Sequence, residues 1–443
     1  MVRGADGGIP GERRAGALRG PAQRARLFAV VLACGAVAAS RAARADNPLN
    51  SSDRTTANAQ AACTRGDQSE FNIIPIVGGT SDIGIGFGEF SDLARVSRGA
   101  DPYLWNIESA AFVSFKSSNE GLQVPYQDFY MKMTVPRFLG SGLQLEVRPS
   151  YTWESNLGYY GLGNASSAKP ASATDSYNWY GRVHPALDIE LRWRVADHLA
   201  ALTGARYTQN WIKVFPGSKL EHDIDAGSPE VKHLIGPTGP GGVAVFSYGL
   251  QWDSRDSQVS SHRGSFHEAQ VKVSPGGTQD FPYRYAQGSL VSRVFVPIVR
   301  DDVTLAVRGV GDVMVGHPPF YELARFDDTY AIGGPNGVRG VPGQRYYGKV
   351  KLFGNVEIRS ELFSFQAIGK PLRFGFVAFF DGGRVWADTS SQPALDGHGI
   401  GMKYGTGGGL RLQSGETFVL RADIAWSPDA SPVGAYFAAG QIF

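Results

Sequence analysis

Leu187-Asp188-Ile189-Glu190-Leu191-Arg192-Trp193-Arg194-Val195 carries an apolar residue at every odd position and a charged one at every even position. Successive side chains of a strand point to opposite faces, so this segment has one face for an apolar medium and one for water. The same division recurs in Phe129-Tyr130-Met131-Lys132-Met133-Thr134-Val135, in Leu143 to Val147, in Val303 to Asp312, in Val356-Glu357-Ile358-Arg359 and in Leu420-Arg421-Ala422-Asp423-Ile424. A soluble sandwich also alternates in this way. Count and spacing are therefore more telling than any one segment.

Strands are expected near 71–79, 82–90, 103–117, 125–136, 142–154, 178–194, 198–214, 244–254, 264–274, 284–297, 302–315, 349–362, 372–384, 399–413, 416–427 and 433–443. That is about sixteen, an even number, as an antiparallel transmembrane barrel requires. Connections after odd strands are long, as at 155–177, 215–243 and 316–348, and most of those after even strands are short, as at 195–197 and 414–415. Long outer loops and short periplasmic turns distinguish an outer-membrane barrel from its alternative, a secreted all-β domain.

Composition agrees. Of 443 residues only 42% are hydrophobic, while 57 are glycine and 18 tyrosine, values that suit many turns and half-polar strands. Residues 1–45 read as a signal peptide, with arginines up to Arg26, an apolar core from Leu27 to Ser40 and the small-residue site Ala43-Arg44-Ala45. Lipidation at Cys34 is the competing reading of this segment, but the apolar run continues past it. Beyond residue 45 the chain keeps 35 basic and 39 acidic residues, a balance of −4 that gives no electrostatic case for nucleic acid. Cys63 is then the one remaining cysteine, which excludes an internal disulfide and a cysteine zinc site. No run of about 18 apolar residues follows, so any membrane span has to be a closed barrel. Residues 46–69 lack periodicity and read as a flexible periplasmic leader ahead of a barrel over 70–443.

One loop and four further segments carry a family resemblance. Gly333-Gly334-Pro335-Asn336-Gly337-Val338-Arg339-Gly340 sets an arginine among glycines inside the long connection 316–348. Gly249 to Asp256, followed by Arg263-Gly264-Ser265, contains an aspartate-x-arginine-aspartate turn, Asp253, Arg255 and Asp256. Asn355 to Glu361 forms a strand after the loop, Phe379-Phe380-Asp381-Gly382-Gly383 lies on the next strand, and Gly407-Gly408-Gly409-Leu410-Arg411 opens a late hairpin. In this order they resemble the bacterial surface antigen superfamily of outer-membrane barrels, which includes barrel-assembly proteins and two-partner-secretion transporters. Val341 stands where the family has an aromatic residue, and the leader has no room for the family's periplasmic receptor domains.

The resemblance implies that Val338, Arg339 and Gly340 form the tip of a lid loop folded into the lumen, with Arg339 held by Asp381. Parity supports an inward Asp381, because Leu372, Phe374, Phe376, Ala378 and Phe380 then face lipid. Guanidinium and carboxylate can form two parallel hydrogen bonds, a geometry that lysine cannot supply. Gly383 leaves room for close approach, and Glu357 is a second inward anchor. Asp253 and Arg255, two apart on a strand, are expected to pair with opposite charges across the ladder. Phe437 and the terminal Phe443 resemble the signal by which such barrels are recognised by the assembly machinery.

By resemblance the barrel moves or inserts polypeptide or lipid through a weak seam between first and last strands, with a separate periplasmic partner and outer-membrane lipid around it. A passive pore and a structural surface protein are the alternatives. Neither a Gly-x-Ser-x-Gly elbow nor a His-Glu-x-x-His motif is present, so no enzyme or cofactor is expected. The histidines, including His184, His198, His262 and His267, are dispersed. His267 has lipid-facing parity, as in barrel lipid hydrolases, but reads better as a boundary histidine.

Overall fold

In a computed structural model of the chain, residues 68–443 are described apart from 81–82, 98–102, 119–120, 141, 167–175, 301, 327–328, 331, 368–369, 415–417 and 430–432. The regions read as signal peptide and most of the leader, with Cys63, lie outside the described residues.

Sixteen strands form one antiparallel sheet closed on itself. They are β1 (Gln68–Thr80), β2 (Gly84–Val96), β3 (Trp105–Ser118), β4 (Tyr126–Phe138), β5 (Leu143–Gly158), β6 (Trp179–Ala196), β7 (Leu199–Val214) and β8 (Gly241–Asp253) in the first half. The second half holds β9 (Gly264–Pro275), β10 (Arg284–Val299), β11 (Val303–Gly316), β12 (Val350–Ala367), β13 (Lys370–Trp386), β14 (Lys403–Ser414), β15 (Phe418–Trp426) and β16 (Gly434–Ala439). Each strand pairs with its neighbours in sequence, and β1 against β16 completes the ring. Three short strands stand outside this count: Gly121–Gln123, Arg325–Phe326 and Thr329–Tyr330.

Period two explains both faces of the wall. On β8 the side chains of Phe246, Tyr248, Leu250 and Trp252 are exposed, while Gln251 between them is buried. On β13 Phe376 and Phe380 are exposed and Val377, Phe379 and Asp381 are buried. Large exposed apolar side chains of this kind recur around the barrel and form its lipid face.

Several boundaries differ from the sequence reading. β1 begins at Gln68, inside the stretch read as leader, because Gln68, Ser69 and Glu70 pair with Val96, Arg95 and Ala94. β2 continues past residue 90, where polar Ser91 and Asp92 had obscured the alternation. Ser91 meets the Ser109 hydroxyl at 2.7 Å, and Asp92 accepts from Asn106. β16 stops at Ala439 instead of running to Phe443. Gly440 has φ +84 and turns the chain, and Ile442 and Phe443 are buried with Phe295 and Ala306.

The connection after β7 contains two helices, α1 (Lys219–Ala226) and α2 (Pro229–Ile235). The Ser218 hydroxyl caps α1 by accepting from the amide of Glu221, and Ser228 caps α2 through the amide of Val231. Leu220, Leu234 and Ile235 are buried in a cluster with Tyr159, Tyr180, Phe320, Tyr321 and Tyr347. The Tyr159 hydroxyl donates to Asp223 of α1 at 3.0 Å. Burial, with that carboxylate beside it, pushes the hydroxyl well above its usual range, so it stays a donor.

Val356 lies on the outer face near the middle of β12 and is exposed. Val356→Arg should cost about 2–4 kcal/mol, the penalty for a cation on a barrel's lipid face near the midplane. Denaturant titration of the protein refolded in vesicles measures it.

Candidate functional site

The connection between β11 and β12, residues 317–349, enters the barrel and touches two stretches of its wall. A 3-10 turn at Phe320–Glu322 buries Phe320 and Tyr321 beneath the helices. Beside it, Glu322 pairs with Arg182 of β6 at 3.2 Å, and Arg325 pairs with Glu154 of β5 at 2.9 Å. The Arg182 guanidinium also lies 3.9 Å over the Tyr321 ring. These contacts fasten the start of the loop to β5 and β6.

The Gly333–Gly340 stretch lies against β12 to β15. Arg339 is fully buried. Its Nε and Nη2 donate to Oδ2 and Oδ1 of Asp381 on β13, at 2.7 and 3.0 Å, and its own amide donates to Oδ2 at 3.0 Å. Nη1 lies 2.7 Å from Glu357 Oε1 on β12 and 3.2 Å from Asp423 Oδ2 on β15. The guanidinium carbon stands 3.4 Å above the centre of the Phe379 ring. Fork geometry and the stacking of a flat guanidinium on the ring face thus select arginine over lysine.

Backbone shape permits this approach. A Cβ on Gly405 would sit 1.8 Å from the Arg339 carbonyl, and one on Gly383 would meet Ile332 Cδ1 of the loop at 2.3 Å. Val338 and Val341 are buried with Ile332, Tyr346, Phe353 and Val385. Gly340 donates its amide to the Tyr436 hydroxyl of β16 at 2.9 Å. Asn336 and Gly337 are clamped as well: Asn355 Nδ2 donates to the Gly337 carbonyl at 2.8 Å, while Arg308 and Arg421 donate to Asn336.

The sequence reading named Arg339, Asp381, Gly383 and Glu357, and the structure brings these together. It did not assign Asp423, Arg411, Asn355, Arg308 or Tyr436 to this site. Inward parity is the signal that reaches them, since Arg421 and Asp423 had already been read as the water-facing residues of their strand. Parity alone does not say which of many inward polar residues meet.

The expected cross-ladder role of Asp253 and Arg255 is not what the structure contains. β8 ends at Asp253, so Arg255 lies beyond the ladder and folds back, its Nε and Nη2 donating to the Asp253 carboxylate at 2.9 and 2.8 Å. Asp256 accepts from the amides of His262 and Arg263 at 3.0 and 3.2 Å, closing the same turn. Phe437 is exposed on the outer face and Phe443 is buried inside.

His233 and His317 meet edge to face with ring centres 5.0 Å apart, a pairing that sequence reading missed. His184 is buried against Glu154 at 3.0 Å, and His198 lies against the Asp253 carbonyl and the Trp252 ring. His262 reaches Thr304 at 3.1 Å. His267 Nδ1 lies 2.9 Å from Ser292 Oγ on the outer wall, where each polar group satisfies the other. Among the described residues no group of histidine, cysteine and carboxylate side chains is arranged to hold a metal ion.

The Omp85 superfamily domain matches residues 115–443. BamA from Haemophilus ducreyi lacking POTRA domains 1–3 superposes with a TM-score of 0.54 at 16% identity, over 84% of this chain and 70% of that one. CdiB from Escherichia coli superposes with a TM-score of 0.54 at 14% identity, over 86% of this chain and 68% of that one. At these identities the likeness concerns the fold. No curated protein sequence matches the chain significantly.

Removing one member of a buried ion pair costs about 3–5 kcal/mol, because its partner is left uncompensated. Arg339→Lys and Asp381→Asn should each lower the temperature at which the barrel loses its compact mobility on a gel. Arg339→Asp with Asp381→Arg should restore only part of the loss, since the new aspartate would face Glu357 and Asp423.

Proposed function

The chain belongs to the Omp85 superfamily, and from that premise we propose that this outer-membrane barrel moves or inserts polypeptide or lipid by opening between β1 and β16. Residues 317–349 act as the lid and brace of the lumen, and no step requires catalysis. The observation that carries this reading is the seam. β1 has thirteen residues, all of them paired with β2, whereas among the described residues only Gly79 and Thr80 pair with β16, opposite Phe437 and Tyr436.

The two pairs among the described residues are little to break, at a net of about 0.5–1.5 kcal/mol per hydrogen bond. The unpaired edge from residue 68 to residue 78 is a larger matter. Backbone groups left without partners in hydrocarbon are costly, which is why membrane barrels close completely. An edge of this length is suited to a strand from another chain, which would gain main-chain hydrogen bonds there. The loop supports the same reading, since it is fastened to β5 and β6 at one end and to β12–β15 at the other. A separate periplasmic partner would deliver the client, and the cell's barrel-assembly machinery would insert the chain itself.

In planar bilayers the wild-type protein should conduct little and fluctuate, and Arg339→Ala should conduct strongly. A large, steady conductance in both would favour a passive pore. Vesicles holding the protein should accelerate folding of a urea-denatured outer-membrane barrel protein several-fold. In a Cys63→Ser background, a disulfide between Gly78→Cys and Ala438→Cys, the next pair in register, should abolish that acceleration until reductant is added. No acceleration by the unlocked protein would overturn polypeptide insertion.

A further inference from the structure

Arg411 of β14 and Arg421 of β15 stand directly opposite each other, and both are buried. Like charges in that position repel. Arg359 of β12 lies across β13 from Arg411, and the β13 residues between them are short: Val377 opposite Arg359 and Gly375 opposite Arg411.

The acceptors on this wall run out before the donors do. Arg359 donates from Nε to Glu357 at 2.8 Å and from Nη2 to the Phe443 carbonyl at 3.0 Å. Arg411 donates from Nε to the Gln441 side chain at 3.0 Å and from Nη1 to Asp423. Arg359 Nη1 and Arg411 Nη2 are also buried, and among the described residues neither has a hydrogen-bond acceptor. Glu357 Oε1 lies 3.9 Å from Arg411 Nη2, too far for a hydrogen bond, and is engaged by Arg339 at 2.7 Å. Charge is unbalanced too. Arg308, Arg359, Arg411, Arg421 and the loop's Arg339 share Glu357, Asp381 and Asp423. Carbonyl oxygens satisfy donors but carry no net charge, and a buried guanidinium without a counter-charge is costly.

A cavity borders the pair near the turn between β8 and β9. Arg359, Arg373 and Arg411 line it together with Ser261, Gln413 and Gln441. Two carboxylates border it as well. Glu361 is engaged by His262 and Arg373, each at 3.5 Å, and Asp302 is exposed just before β11.

We propose that Arg359 and Arg411 hold an oxyanion of the phosphate class at this cavity. Oxygens spread around one centre can accept from both guanidiniums at once, through charge-assisted bonds that suit the arginine fork. The bound anion offsets the excess charge and ties β12 to β14 beside the tail. Free phosphate and the phosphate of a lipid headgroup share this chemistry. The site needs no opening between β1 and β16, so it stands apart from the transport reading.

The test is thermal unfolding of the protein in a maltoside detergent, followed by tryptophan fluorescence, with ionic strength held constant by sodium chloride. Millimolar inorganic phosphate should raise the midpoint by several degrees, as a ligand of the folded state does. Arg411→Gln should abolish the shift. Gln441→Glu keeps an acceptor for Arg411 Nε and places a carboxylate at the site, so it should fold, melt above the wild type without phosphate, and lose most of the response. Glycerol 3-phosphate acting at lower concentration than phosphate would assign the site to a lipid headgroup, and the reverse order to the free ion. No shift with either probe beyond that of chloride would overturn the proposal, as would a full response in Gln441→Glu.

Discussion

A guanidinium stays in a dry place only where acceptors surround it, and Arg339 is the place in this barrel where that condition is met most fully. Three carboxylates from β12, β13 and β15 meet it, with an aromatic ring beneath it. The long loop and the glycines Gly383 on β13 and Gly405 on β14 allow that side chain to reach those acids. A loop carrying its own backbone into a lumen has polar groups to satisfy, and here the wall supplies partners for Asn336, Gly337, Arg339 and Gly340. Burial of Val338, Val341 and Ile332 adds the apolar part of the contact.

The same wall carries more cations than anions. Arg308, Arg359, Arg411 and Arg421 stand with Glu357, Asp381 and Asp423, and the loop adds Arg339 to them. Carbonyl oxygens take up the excess: Asn336 in the loop, and Ile442 and Phe443 at the chain end, accept from Arg308 and Arg359. Buried guanidiniums are costly unless hydrogen-bonded, so loop and tail are each held because the wall needs their acceptors. Glu357, shared by Arg339 and Arg359, joins the two.

Likeness to BamA and CdiB concerns the barrel. Three local features of this chain are a valine after the Arg339-Gly340 pair, a cap of two short helices, and a proline in the first strand. Val341 packs into the apolar cluster, so a branched aliphatic side chain fills the site next to the buried arginine. The cap seats Leu220, Leu234 and Ile235 in one apolar cluster with Tyr159, Tyr180, Tyr321 and Tyr347.

Much of this was legible in the residues. Alternation is a property of the strand itself, so period two gave the barrel wall, its faces and the inward side of Asp381 and Glu357 without reference to any partner. The helices were legible too, in Ser218 three residues before Glu221 and in Ser228-Pro229, inside a stretch whose strand alternation lapses. Strand ends were less so: Ser91 and Asp92 broke the pattern of β2 although its pairing continues, and the alternation of the last strand concealed the turn at Gly440. Sequence by itself thus determined which residues face water and which face lipid, because that follows from the geometry of one extended chain. Only the closed barrel decided that Arg339 meets Asp423, 84 residues away, and that Phe443 turns inside. Those partnerships depend on register and curvature summed over many strands, and no local pattern contains that sum.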